Sequence, residues 1–177
     1  MKDTLRLKLA IMGMVALAAA IPAIAVADGP DALVRFKGGI GVDPISNVTA
    51  SSGTTTISAN AVRGVSPPGQ IWVIRDLDAK VDIYGHIRVR GSGLLLAGGN
   101  GIGTTAGLSV FATLFCGPAA SAVASSSSMT GVALDPDGDF TIDDVLSPAP
   151  VSPCVDPVLL IRATVGSHPW FAAGIVG

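Results

Sequence analysis

Apolar and polar residues alternate with a period of two over Ile71 to Ala97, IWVIRDLDAKVDIYGHIRVRGSGLLLA, the longest such run in the chain. The spacing puts Ala79, Val81 and Ile83 on one face of a strand with Lys80 and Asp82 on the other. It puts Ile87 and Val89 on one face of a second strand with Arg88 and Arg90 opposite. Together they predict a β-hairpin whose register follows from parity. A two-residue loop at Tyr84-Gly85 pairs Val81 with Arg88, whereas a three-residue loop pairs Val81 with Ile87 or Val89. The odd loop is expected, because a one-residue slip turns the whole apolar set to solvent, and Gly85 suits the left-handed position such a loop requires.

The same reading extends along the chain. Val34, Phe36, Ile40 and Val42 alternate with polar residues around Gly38-Gly39, which predicts a half-buried strand with a bulge or bend at the glycines. Thr54 to Val62 is β-prone, with Ile57, Ala59 and Ala61 on one face. Leu108 to Cys116 is apolar on nearly both faces, as a central strand is. Gly117 to Ser128 is an Ala/Ser-rich stretch that reads as a loop, with a short helix as the alternative. A second hairpin spans Met129 to Val145 around the turn Asp135-Pro136-Asp137-Gly138. Val158 to Ile161 and Trp170 to Val176 supply the last strands. The total is about eight or nine strands and no helix, which predicts an all-β fold: an antiparallel β-sandwich of immunoglobulin-like kind.

The first residues fall outside this pattern. Lys2, Arg6 and Lys8 precede an apolar run from Leu9 to Ala20, and Ala25-Val26-Ala27 forms a small-residue cleavage site. That is the layout of a secretory signal peptide over residues 1–27, leaving 28–177 as a single domain. An uncleaved anchor is the alternative, but the run is shorter than the roughly 20 residues a bilayer requires, and Pro22 interrupts its end. The expected location is secreted or periplasmic, with no membrane insertion once the leader is removed.

Of the 11 Lys and Arg, three lie in the leader, as does one of the 13 acidic residues, so 28–177 carries eight basic and 12 acidic side chains. This weakly acidic balance gives no electrostatic reason to bind nucleic acid, which needs clustered cations. Every acidic residue is Asp, a turn and cap former, and 22 Gly and 12 Pro accompany them, which argues against long surface helices. Cys116 and Cys154 are the two cysteines. In an exported chain an even count predicts one disulfide, worth roughly 3 to 4 kcal/mol in the chain-entropy model.

Candidate chemistry is sparse. The Gly98 to Gly107 loop, GGNGIGTTAG, lacks the dinucleotide spacing and precedes a strand rather than a helix, so it reads as an inter-strand loop. Asp135, Asp137 and Asp139 have the one-three-five spacing of a calcium loop, but the sixth and twelfth positions hold Phe140 and Leu146. A structural turn is the first reading, and a weak calcium site the alternative; no other cofactor is indicated. His86 and His168 are the two histidines available as a general base, yet no serine elbow accompanies them: Gly91-Ser92-Gly93 has the wrong spacing. Hydrolysis is therefore the less favoured alternative to a noncatalytic role. Asn47-Val48-Thr49 matches the glycosylation sequon, as chance also allows in a Thr/Ser-rich segment.

A binding module and a structural module of the envelope are the remaining classes, which the sequence does not separate, and the signal of binding is exposed aromatic residues. Trp72, Tyr84 and Trp170 are the candidates for stacking on a sugar or docking a partner, so a glycan or an envelope protein is the expected partner. The segments VRGVSPPGQIWVI, HIRVRGSGLLLAGGNGIGT, SVFATLFC, DGDFTIDDVLSP, CVDPVLLIR and WFAAGI resemble recurring segments of a group of small exported bacterial β-rich proteins. The resemblance runs from about Phe36 to Ile175. It implies a bacterial source, an exported β-rich domain and a paired Cys116 and Cys154, and it carries no activity, ligand or catalytic residue.

Overall fold

The computed structural model describes residues 31–177, so the leader and its cleavage site lie outside the described residues. The described chain is all-β, with 13 strands. The main sheet has nine strands: β1 (Ala32–Gly41), β5 (Asp76–Asp82), β6 (His86–Ser92), β8 (Ser109–Cys116), β9 (Val123–Ser126), β10 (Val132–Ala133), β11 (Phe140–Val145), β12 (Val158–Ala163) and β13 (Trp170–Val176). Its order is β10-β8-β12-β13-β1-β5-β6-β11, with β9 also on β8, and every pairing is antiparallel.

The immunoglobulin-like sandwich expected from the sequence is not found in this order. A sandwich keeps two sheets separate, but β1 pairs with β5 on one side and β13 on the other and so joins the halves into one sheet. That sheet curls until its ends nearly meet: Ser126 at the end of β9 bridges Ser147 after β11, and the Ser128 amide donates to Asp144 Oδ2 at 2.8 Å. Curvature of this kind needs bulges and residues without side chains. The register slips between Phe36 and Gly39 where β1 meets β13, and Gly39 stands opposite Gly174 there. A Cβ on Gly174 would come within 3.0 Å of the Phe36 ring. The same slip reverses the alternation, so Phe36 is buried while Ile40, expected on the same face, is 59% exposed.

About eight strands close a cylinder just wide enough for side chains to fill. Val34, Phe36, Leu77, Val81, Val89 and Ile142 form one cluster with Val110, Leu114, Leu159 and Ile161. The organising hairpin is as expected: Val81 pairs with Ile87 and Ala79 with Val89, Val81 and Val89 are fully buried, and Gly85 has φ +89°. Cys116 and Cys154 form the expected disulfide, with Cα atoms 4.9 Å apart.

The outside of the barrel is treated differently on its two sides. On β8 and β12, alternation turns Thr113, Phe115 and Leu160 outward, yet all three are buried. The 60–69 segment covers that side. The Trp170 amide donates to Ser66 O, its indole Nε1 donates to Asn60 O at 2.9 Å, and Arg63 Nη2 donates to Asp156 O at 2.9 Å. A tight turn with positive φ at Arg63 and Gly64 and reciprocal Val62–Val65 bonds shapes this strap. The opposite side, over β1, β5, β6 and β11, has no such cover among the described residues.

Two short ladders complete the fold. β4 (Trp72–Val73) pairs with β7 (Leu95–Leu96) beside the ends of β1 and β13. β2 (Ile45–Ser51) pairs with β3 (Thr54–Ala59) in a ribbon whose residues are all exposed. The expected alternation of Ile57 and Ala59 is present there, but it faces solvent.

Candidate functional site

The side of the barrel over β1, β5, β6 and β11 is built by alternation. On β1, β5, β6 and β11 the inward residues are apolar, so the outward ones are Arg35, Lys37, Asp76, Asp78, Lys80, Asp82, His86, Arg88, Arg90, Thr141 and Asp143. Register then sets them in rows. Arg35 stands opposite Lys80, Lys80 opposite Arg88, and Arg88 opposite Asp143. The neighbouring row reads Lys37, Asp78, Arg90, Thr141. Five of the eight cations of 28–177 lie on this face with only four of its 12 carboxylates, so it is cationic where the rest of the chain is acidic. A groove of about 450 Å³ runs over it, bounded by Arg35, Lys80, Arg88, Arg90, His86 and the three carboxylates Asp78, Asp82 and Asp143.

The charges in the groove are not all engaged. Arg88 donates through Nε and Nη2 to Asp143 Oδ2, at 3.0 and 2.5 Å. Asp82 Oδ1 accepts the amides of Tyr84 and His86, both at 2.9 Å, which fixes the β5–β6 turn and leaves Oδ2 for the groove. Among the described residues, Lys80 and Arg90 make no ion pair within 4.0 Å. Like charges placed opposite one another on adjacent strands are unfavourable, and Lys80, opposite Arg88 with no ion pair of its own among the described residues, is not explained by the stability of the sheet.

The aromatic candidates from the sequence are not brought together. Trp72 is buried and stacked on Phe171, with ring centroids 4.1 Å apart and an interplanar angle of 9°. Trp170 is buried beneath the strap. Tyr84 is 63% exposed at the β5–β6 turn, at the opposite end of the barrel and next to the groove residues Asp82 and His86. Of the three, Tyr84 alone offers an open ring face.

The acidic turn is arranged around its own backbone. Gly138 N donates to Asp135 O at 2.8 Å, and Asp135 N to Asp139 O at 3.0 Å. The Asp139 carboxylate turns away from Asp135 and Asp137 to accept Gly93 N at 3.0 Å and Arg75 Nη2 at 3.4 Å. Among the described residues no group of three or more His, Cys, Asp or Glu is placed to hold a metal ion. The two histidines are also apart: His86 lies on the groove, while His168 sits in the β12–β13 turn against the Phe111 ring, with Nδ1 3.1 Å from Ala163 O.

A second cation is noteworthy on the covered side. Arg162 lies with its guanidinium carbon 5.2 Å from the Phe111 centroid and donates through Nε to His168 O at 2.9 Å, tying the β12–β13 turn to the sheet. Burial lowers its pKa from the ordinary arginine value. Its role is to hold the turn.

The groove was missed in the sequence because its residues come from four separate strands and because alternating charges on an exposed strand face look like ordinary solvation. The signal that was present was the RVR of Arg88-Val89-Arg90, two cations on one face of one strand. Among the described residues no helix is long and apolar enough to cross a membrane. No family model, curated protein or solved structure matches this chain.

Proposed function

We propose that the protein is an exported, noncatalytic binding module of the cell envelope or extracellular space, and that it binds through the open face of β1, β5, β6 and β11. The observation that carries this reading is the Arg35–Lys80–Arg88 row, in which three cations stand side by side across adjacent strands of a chain that is acidic elsewhere. Within the groove Lys80 and Arg90 make no ion pair among the described residues, and an anionic ligand would supply one. The disulfide is consistent with an oxidising extracellular or periplasmic location, and the leader-like residues 1–27 fit the same route.

The test uses the full chain expressed in a bacterial host. Recovery of a mature form beginning at Asp28 in the periplasm or medium supports export. Retention of that form on the host's envelope fraction, abolished when Lys80 and Arg88 are both changed to Gln, supports binding through this face. Retention unchanged in the double variant removes the face from the proposal.

A further inference from the structure

The groove is not a uniform cationic patch, and its mixture narrows the ligand. Lys80 lies between Asp78 and Asp82 along its own strand and between Arg35 and Arg88 across the sheet, so cations and carboxylates alternate at right angles around it. Guanidinium and ammonium groups recognise carboxylate or phosphate, whereas a carboxylate in the same groove accepts hydrogen bonds from hydroxyls. A bare polyphosphate would meet Asp78, Asp82 and Asp143 as like charges, and a neutral glycan would leave Lys80 and Arg90, which make no ion pair among the described residues, without a counterpart. A molecule bearing both a carboxylate and several hydroxyls satisfies the two sets at once.

Resting on the binding reading above, we infer that the groove takes an acidic carbohydrate of the uronate type. Its carboxylate lies against the Arg35–Lys80–Arg88 row, its hydroxyls donate to Asp78 and to the free oxygen of Asp82, and a ring extending past the β5–β6 turn meets the exposed face of Tyr84. The row spans three strands, about 10 Å at the usual strand spacing, and the groove volume of about 450 Å³ lies within the range of small-ligand sites. The contacts form on side chains already held outward by strands β1, β5 and β6, so binding requires little rearrangement of backbone.

The experiment is calorimetric titration of the mature chain with oligogalacturonate, with polyphosphate, neutral dextran oligomers and oligo-aspartate as separate comparisons. Oligogalacturonate is expected to bind, and Lys80→Gln with Arg88→Gln to weaken it at least tenfold. Tyr84→Ala is expected to weaken it a few-fold, with the urea midpoint of each variant unchanged. Asp78→Asn separates the mechanisms: it weakens oligogalacturonate if Asp78 accepts a hydroxyl, and strengthens it if the groove merely attracts anions. Strengthening by Asp78→Asn, equal binding of polyphosphate or oligo-aspartate, or no binding of oligogalacturonate overturns the inference. If the wild-type chain is retained on envelope material through this face in those cases, the binding-module reading survives without it.

Discussion

Lys80 on β5 stands directly opposite Arg88 on β6, and Arg88 alone of the two has a carboxylate partner among the described residues, Asp143. A like pair of this kind costs roughly 0.2 to 1 kcal/mol on a sheet face. Lys80→Thr is therefore expected to leave the urea midpoint unchanged or to raise stability by about 0.5 kcal/mol at low salt, since Thr also suits a strand. The gain should shrink as salt screens the exposed charges. A clear loss of stability would show that Asp78 and Asp82 rely on Lys80, and that the row is structural rather than a binding feature.

Trp72→Ala tests the opposite kind of residue. Its ring is stacked on Phe171 and closed off from solvent, so the change removes a buried aromatic and is expected to cost about 3 to 5 kcal/mol. Denaturant unfolding reads this directly. Ligand affinity measured well below the unfolding midpoint should be unaffected, because Trp72 lies at the far end of the barrel from Tyr84.

Much of the fold was legible because burial on one face imposes alternation. The β5–β6 register, the buried character of β8 and the turn before β11 all follow from side-chain parity and turn residues. What parity cannot give is which strand lies beside which. The position of β1 between β5 and β13, which joins the strands into one nearly closed, barrel-like sheet, depends on pairings remote in sequence. The Gly117 to Ser128 stretch reads as a loop from its Ala/Ser composition, yet it holds β9, and Ser125 and Ser127 in and after that strand are buried. Their hydroxyls are small enough to be buried, and Ser127 Oγ accepts the Ala112 amide at 3.0 Å. A tryptophan at a strand start reads equally as a stacking candidate or as a cap on the core, and sequence alone does not reveal the strap that covers Trp170. The groove was illegible for a related reason, its charges being adjacent only after four strands are aligned.

The disulfide joins the ends of a long loop that contains β9, β10 and β11, 38 residues apart in sequence. Changing both Cys116 and Cys154 to Ser is expected to lower stability by roughly 3 kcal/mol through the greater freedom of the unfolded chain. The oxidised wild type treated with a reductant should move toward the same urea midpoint. A loss below about 1 kcal/mol would mean that the unfolded chain keeps this loop restricted without the sulfurs.

Gly91 on β6 faces Phe140 on β11, and the aromatic ring occupies the space a side chain would need: a Cβ there would lie within 2.5 Å of Phe140 ring atoms. Gly91→Ala must displace the ring from the core, and overpacking of this type costs about 1 to 3 kcal/mol. Combining it with Phe140→Leu is expected to recover part of the loss, since the obstacle is removed from the other side. Strict additivity of the two changes in a double-mutant cycle would contradict the steric account.

The β2–β3 ribbon gives the contrasting case. Ile45, Val48 and Ile57 are all exposed, and no charged residue lies between Asp43 and Arg63. Its base is held independently, by Asn60 N donating to Pro44 O and Asn60 Nδ2 donating to Asp43 O, both at 2.9 Å. A two-stranded ribbon without a core is at best marginally stable, so it adds little to the barrel's own stability. Replacing residues 47–57 by Asn-Gly, a tight hairpin turn, is expected to change the unfolding free energy of the chain by no more than about 0.5 kcal/mol. Ile57→Lys should be equally silent. A loss of 2 kcal/mol or more from either change would mean that the ribbon folds back onto the barrel in solution, and its apolar residues would then belong to the core.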